Sequence, residues 1–300
     1  MRNYLTILLV LVFGFNALQA QTAYEPTEKS LLWEISGKSL ESPSYLFGTI
    51  HLIPKSDYFF TETMESTFKK AKQVTFEIDM EEMNDMSAMF SMIGKMYMAD
   101  GKKLRDLLST EDYEKVKTHF DGMGLPFAFL ERVKPMFLSV MTDPDAMTLQ
   151  MDGGDDGGML SYEMQLTEMA QNQDKDIQGL ETMDFQMSLF DSIPYDAQAQ
   201  MLVKAIDSEK EDGGQLDDMV KLYKQQDIQS MYSMMNTDEG LGGFDDVLLL
   251  RRNRSWIPVM EKMMNQNSTF FAVGAGHLGG PEGVVALLRK AGYTVTAVSH

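Results

Sequence analysis

Two rhythms of apolar and polar positions run along this chain. Short, nearly continuous apolar runs bounded by turn residues occur at "LLWEISG" (31–37), "SYLFGTIH" (44–51), "QVTFEID" (73–79), "DIQGLET" (176–182), 269–273 and "YTVTAV" (293–298). Their length and their β-branched and aromatic content predict strands. Between them, apolar residues recur with a helical period. The spacing predicts helices at 60–72, 80–99, 110–121, 126–141, 159–172, 184–192, 195–208, 214–235 and 244–266, and one from Pro281 that Gly292 closes.

The order of these elements gives the fold class. Near the start, a strand runs into Gly48-x-x-His51, then a helix, then a strand; near the end, a strand runs into Gly274-x-x-His277, then a helix, then a strand. Such crossovers join parallel strands. We therefore expect an α/β fold with a central, mostly parallel sheet made of two duplicated β-GxxH-α-β units. A large helical insertion, about 80–266, separates them. No Pro/Ser-rich linker interrupts the chain, so residues 21–300 are read as a single domain.

The first twenty residues stand apart. Arg2, the apolar "LTILLVLVFGF" and the small-residue "ALQA" have the layout of a secretory signal peptide cut after Ala20. The apolar run is too short for a comfortable span, and no second one is long enough. The expectation is an exported protein, periplasmic or extracellular, with no integral membrane span after signal removal. Cysteine is absent, which excludes thiol nucleophiles, disulfides and cysteine-ligated metals. Without Arg2 the charge is 25 basic against 45 acidic residues, or −20, which argues against nucleic acid and anionic membranes as partners.

Chemistry concentrates in few residues. Of four histidines, His119 lies on a charged helix and His300 ends the chain, which leaves His51 and His277 in matching contexts. Glycine at a strand end lets the backbone turn sharply and a ligand approach closely, and ligands of parallel sheets bind beyond the carboxyl ends of the strands. Glu77 lies inside "VTFEID" and Glu181 at the end of "GLET", where a carboxylate calls for a partner. Two imidazoles with one or two carboxylates make a divalent-metal set that suits zinc, manganese, cobalt or iron. No zincin helix, nucleophile elbow or P-loop motif is present.

"LLLRRNRSW" places Arg251, Arg252 and Arg254 around Asn253 on a helix, so one or two arginines face inward, as an anion clamp or as surface pairs. Met80, Met83, Met86, Met89 and Met92 recur every three residues, too wide a sweep for one core stripe. They read as an adaptable wall, a soft copper(I) site or a habit of a chain with 27 methionines.

Taken together, "LFGTIHLIP", "VTFEID", "VKPMFLS", "GLETMDFQMSLFDSIP", "RRNRSW" and "AVGAGHLGGPEGVVALLRKAGYTV" give the chain a family likeness. It resembles the TraB/GumN family, which includes pheromone-shutdown proteins and is related to the Tiki metalloproteases. The resemblance implies metal-dependent hydrolysis of peptides or proteins. By position it places His51, His277 and Glu77 on a divalent ion (manganese, cobalt or zinc), with Glu181 or Glu77 as general base. Burial would suit such a base by raising its pKa. Arg252 would stabilise the oxyanion, with Asn253 assisting. No residue is carried over from the acidic segment 153–163. Related folds include erythromycin esterases and a haem-binding lipoprotein, so a small-molecule esterase and a non-catalytic haem or peptide binder are the alternatives.

Overall fold

The computed structural model describes residues 28–80, 92–142, 158–209, 215–236 and 243–300. The expected signal peptide, the acidic stretch 152–156 and Met83, Met86 and Met89 lie outside the described residues. The architecture is α/β, as the element order predicts. Eight strands are described: β1 (Leu32–Ser36), β2 (Ser44–Thr49), β3 (Ile53–Pro54), β4 (Gln73–Ile78), β5 (Met159–Leu160), β6 (Asp176–Glu181), β7 (Thr269–Gly274) and β8 (Thr294–Ala297). Six form one sheet in the order β6-β4-β7-β2-β1-β8, and β3 pairs with β5 in a small second ladder that the sequence pattern does not announce.

The sheet is parallel except for β1, which pairs antiparallel with both β2 and β8. Burial explains the order. All six residues of β2 are buried, and the first five of β4 and of β7 are too, so these strands take the centre, where both faces are covered. β6 and β8 are only partly buried and sit at the edges. The two strand–loop–helix–strand units connect parallel strands, as expected, but they interlock. β7 lies between β2 and β4, and β2 and β1 lie between β7 and β8.

One face of the sheet is covered by the helix Arg251–Met264. Its buried stripe runs Arg252, Asn253, Trp256, Met260, Met264, so the face that packs on the core carries a guanidinium and an amide at its amino-terminal end. A π-helical turn, Asp246–Leu250, precedes it. A second apolar cluster lies within the insertion, where Leu104, Val116, Phe120, Phe127, Leu138, Leu202 and Ile206 pack together.

Several expected helices are shorter than the apolar period suggests, each for a local reason. The predicted helix 126–141 splits into Phe127–Leu130 and Pro135–Val140, because Pro135 can only start a helix and holds Lys134 extended (ψ 133°). The predicted helix 214–235 breaks into Gln215–Lys224 and Ile228–Met235 at Gln226 (φ 56°), after which Asp227 accepts a bond from the Ser230 N–H and caps the second piece. The predicted helix 159–172 gives two residues to β5 and starts at Tyr162, capped by Ser161.

The first Gly-x-x-His glycine needs room, not a left-handed backbone. A Cβ on Gly48 would lie 3.0 Å from both the Ala275 Cβ and the Leu278 side chain, in the loop that carries the second motif. Gly48→Ala is expected to destabilise the protein by about 1–3 kcal/mol through overpacking. Gly122→Ala, at a helical position with open space around it, is expected to be neutral or stabilising by up to about 1 kcal/mol. Urea unfolding of both variants beside wild type checks the pair.

Candidate active site

Four neighbouring parallel strands deliver the candidate residues to one edge. Glu181 is the last residue of β6, Glu77 the next-to-last of β4, His277 follows β7, and His51 follows β2; in the sheet these strands lie side by side as β6-β4-β7-β2. All point their carboxyl ends the same way, where ligands of such sheets bind. A cavity of about 310 Å³ opens there, lined by His51, Glu77, Arg252 and His277 among others. Glu181 is not among its lining residues.

Arg252 stands at the centre. Nε and Nη2 donate to Glu181 Oε1 at 2.9 and 2.6 Å, Nη2 also to Glu77 Oε2, and Nη1 to the Leu248 carbonyl at 3.1 Å and to His277 Nε2 at 3.2 Å. All five guanidinium donors are thereby used. The guanidinium also lies 4.9 Å from the centroid of the Trp256 ring. Arg251 and Arg254 instead pair with Asp246 at the surface, so one arginine of the three faces inward.

The two carboxylates differ in what is left to them. Glu181 Oε2 accepts from Trp256 Nε1 at 2.9 Å and Oε1 accepts from Gln186 Nε2 at 3.2 Å as well as from Arg252, so its oxygens are committed behind the guanidinium. Glu77 Oε1 accepts the Gly274 N–H at 2.9 Å, and a Cβ on Gly274 would come within 3.3 Å of that oxygen. Burial alone would push the Glu77 carboxyl up, but Arg252 foremost outweighs it and holds the group well below the usual carboxylate range. A base raised by burial, the sequence expectation, is thus not what Glu77 becomes. Burial likewise weakens the Arg252 cation, and Glu77 and Glu181 more than restore it.

The two Gly-x-x-His histidines share a sequence and not an environment. His277 is buried, its ring 4.5 Å from that of Trp256. Asn253 Nδ2 donates to the Glu282 carbonyl at 3.0 Å, which turns its Oδ1 toward His277 Nδ1 at 2.6 Å. Nδ1 therefore carries the proton, and Nε2 presents a lone pair beside Glu77 Oε1, 3.6 Å away. Desolvation pushes the imidazole down to about 3, with Arg252 adding to the effect against the opposing pull of Glu77, so the ring is neutral at neutral pH.

His51 is open to solvent, 74% exposed, with Nδ1 3.0 Å from Glu163 Oε1. The same oxygen takes the Thr49 hydroxyl at 2.7 Å, and Oε2 takes the Ser161 hydroxyl at 3.0 Å. The attraction of Glu163 pushes His51 up to about 9, damped by the water around the exposed ring. Glu163 is the functional candidate that sequence reasoning missed. Its one sequence signal is the helix start Ser161-Tyr162-Glu163, which is ordinary capping chemistry.

A divalent ion fits these donors in kind. Both imidazoles have Nδ1 engaged by an oxygen acceptor, Glu163 or Asn253, the usual arrangement behind a metal-bound histidine, which makes Nε2 the candidate ligand atom of each; that of His277 meets an Arg252 N–H at 3.2 Å. The carboxylate and imidazole types suit zinc, manganese or cobalt. Among the described residues no three such side chains gather closely enough to enclose an ion; they come as the pairs Glu77–His277 and Glu163–His51.

Fold and site together define an α/β protein with a charged cleft built from two Gly-x-x-His loops at the carboxyl edge of a parallel sheet. The chain belongs to the TraB/PrgY/gumN family, whose model matches residues 31–297. Among curated proteins it is similar to Metalloprotease TIKI1 of Danio rerio, 23% identical over 89% of this chain and 62% of that protein. It is also similar to Metalloprotease TIKI2 of Danio rerio, 24% identical over 89% of this chain and 60% of that protein. Metalloprotease TIKI1 of Xenopus tropicalis is 33% identical over 39% of this chain and 20% of that protein. The chain thus spans about 60% of the length of the first two. No solved structure gives a significant match.

The buried cluster sets a pH dependence. His277 titrates lower in the folded chain than its unfolded value near 6.5, and Glu77 lower than its ordinary value, so the unfolded chain takes up protons first as pH falls. The contribution of His277 and Glu77 is expected to be full above about pH 6.5 and to be lost steadily toward pH 3, by up to about 1.4 kcal/mol per pH unit for each proton, whereas the smaller contribution of solvent-exposed His51 is full below about pH 6.5 and is lost as pH rises toward 9. His277→Gln is expected to remove one proton's worth of that slope between pH 6 and 4.5, read from urea unfolding at each pH.

Proposed function

We propose that the protein is a metal-dependent hydrolase that acts on peptides or proteins. The observation that carries this reading is the matched support behind the two histidines. Each Nδ1 is held by an oxygen, which makes Nε2 the candidate ligand atom of each ring at one cavity that also exposes Glu77; at His277 an ion would take the place of the Arg252 N–H that Nε2 now accepts. The relatives' names, metalloproteases, point the same way. Charge supports it too. Glu77 and Glu181 pair with Arg252, and Glu163 with the protonated His51, which leaves one net negative charge; a divalent cation that replaces the His51 proton would bring the cluster to neutrality.

His51, His277 and Glu77 would hold the ion, with Glu163 and Asn253 orienting the rings. When bound, the ion supplies a water of lowered pKa and a Lewis acid for the substrate carbonyl. Arg252, which lines the cavity, favours charge on the carbonyl oxygen through its field, its five N–H donors being engaged by protein groups. Glu77, kept ionised by Arg252, would serve as a ligand of the ion, its lowered pKa making it a weak proton acceptor. Glu181 and Trp256 keep the guanidinium in place, since its Nε and Nη2 are tied to a carboxylate that Trp256 anchors. The chain is proposed to be exported, with residues 1–20 as the signal.

Metal content by elemental analysis tests this directly. Wild type grown with manganese, cobalt and zinc is expected to carry one ion per chain, and His51→Ala and His277→Ala to lose most of it together with chelator-sensitive peptide cleavage. Equal metal in all three would overturn the assignment. Asn253→Ala and Glu163→Gln, which remove the groups behind the rings, are expected to weaken metal affinity by about 10- to 100-fold. Activity on esters with none on peptides would place the protein with the esterases.

A further inference from the structure

The cavity has an apolar lining that the hydrolytic chemistry leaves unused. Met219, Met231, Met235, Leu248 and Leu249 border it beside the charged groups. They come from three consecutive elements, the helices Gln215–Lys224 and Ile228–Met235 and the π turn Asp246–Leu250. The lining adjoins the chemistry directly. The Met235 sulfur lies 2.2 Å from where a Cβ on Gly276 would stand, so this thioether packs on the residue next to His277. The Leu248 carbonyl takes an Arg252 N–H at 3.1 Å. The π turn, a local departure that recurs at functional sites, presents two leucines to the cavity just before the helix that carries Arg252.

Apolar side chains add nothing to water activation or oxyanion binding. They contribute by removing apolar ligand surface from water. Methionine suits a lining that must adapt, because its three rotatable bonds and polarizable sulfur follow the shape of what enters. The volume, about 310 Å³, is at the lower end for ligand sites and fits one side chain with its reacting amide, not a long segment. Charge decides the rest. With Arg252 committed to Glu77 and Glu181, and His51 to Glu163, each cation among the described lining residues already has a carboxylate partner, which disfavours an acidic side chain.

We propose that this lining is the specificity pocket of the site and that it seats an uncharged, flexible apolar side chain (leucine, methionine or phenylalanine) next to the bond cleaved. The inference rests on the hydrolytic reading for the word cleaved, and not for the side chain bound.

The test combines cleavage with binding, using the whole mature chain loaded with manganese. A peptide library varied at one position and read by mass spectrometry is expected to give cuts beside Leu, Met or Phe at least about tenfold more often than beside Asp or Glu. Calorimetry with short peptides centred on Leu or Asp is expected to give the same order of affinity. Met235→Lys, which sets an ammonium beside Gly276, is expected to shift the Leu-to-Asp preference by about tenfold toward Asp. Met219→Lys repeats the test from a separate helix in case the first variant does not fold, as judged by circular dichroism.

Cuts without side-chain preference, or a preference unmoved in folded Lys variants, would overturn the pocket while the hydrolytic reading stands. Apolar peptides bound more tightly, with a shift in the Lys variants but no peptide cut, would support the pocket and sink the hydrolytic reading. No difference in binding and no cleavage would overturn both.

Discussion

A guanidinium cannot be buried alone, and that constraint ties this fold to its site. Arg252 is 7% exposed and satisfies its five donors only if β4, β6, the loop after β7 and the π turn before its own helix all arrive at one place. Breaking a buried charge pair by removing one partner costs about 3–5 kcal/mol, because the other charge is left without compensation. The sheet order β6-β4-β7 and the placing of the helix Arg251–Met264 over its carboxyl edge are therefore demanded by the same contacts that build the cleft. A methionine or leucine at 252 would satisfy packing alone. The charged network adds a defined electric field at the cavity, which apolar packing would not.

From that centre the two Gly-x-x-His loops diverge. His277 lies against Trp256 and under Arg252, is neutral, and has its tautomer set by Asn253. His51 sits at the rim, held by a carboxylate on a helix from the insertion. The cleft thus joins a buried inner wall, made by the sheet and the helix that packs on it, to an exposed outer rim. Tyr223, another insertion residue, donates its hydroxyl to the Gly48 carbonyl at 2.9 Å and ties the first loop to the helices that carry the methionines. The insertion thus supplies both Arg252 and Glu181 of the charged network and the apolar residues Met219, Met231 and Met235 of the cavity lining.

Much of this was legible in the residues, and the limits have physical causes. The strands were readable because central parallel strands are apolar throughout, as in "SYLFGT" and "TFFAVG". Glu77 stood out because a charge inside an apolar pattern implies a partner, and the family resemblance singled out Arg252 among three neighbouring arginines, yet no rule of spacing says that residues 77, 181 and 252 are one another's partners. The pKa of Glu77 was expected to rise on the ground of burial and falls instead because the partner is a cation in contact. Glu163 was unreadable because its place depends on a helix start meeting the end of β2, more than a hundred residues away in sequence. Helix breaks at Pro135 and Gln226 were hidden under a period that continues across them.

Whether the two loops share one site is the claim on which the functional account stands, and the scarcity of histidine makes it directly measurable. With four histidines in the chain, nitrogen-15 NMR of histidine-labelled protein resolves each ring. Titration with a divalent ion is predicted to shift Nε2 of His51 and His277 at the same stoichiometry, with Nδ1 protonated in both and His119 unmoved. An ion that perturbs neither ring, or one ring without the other, would contradict the account.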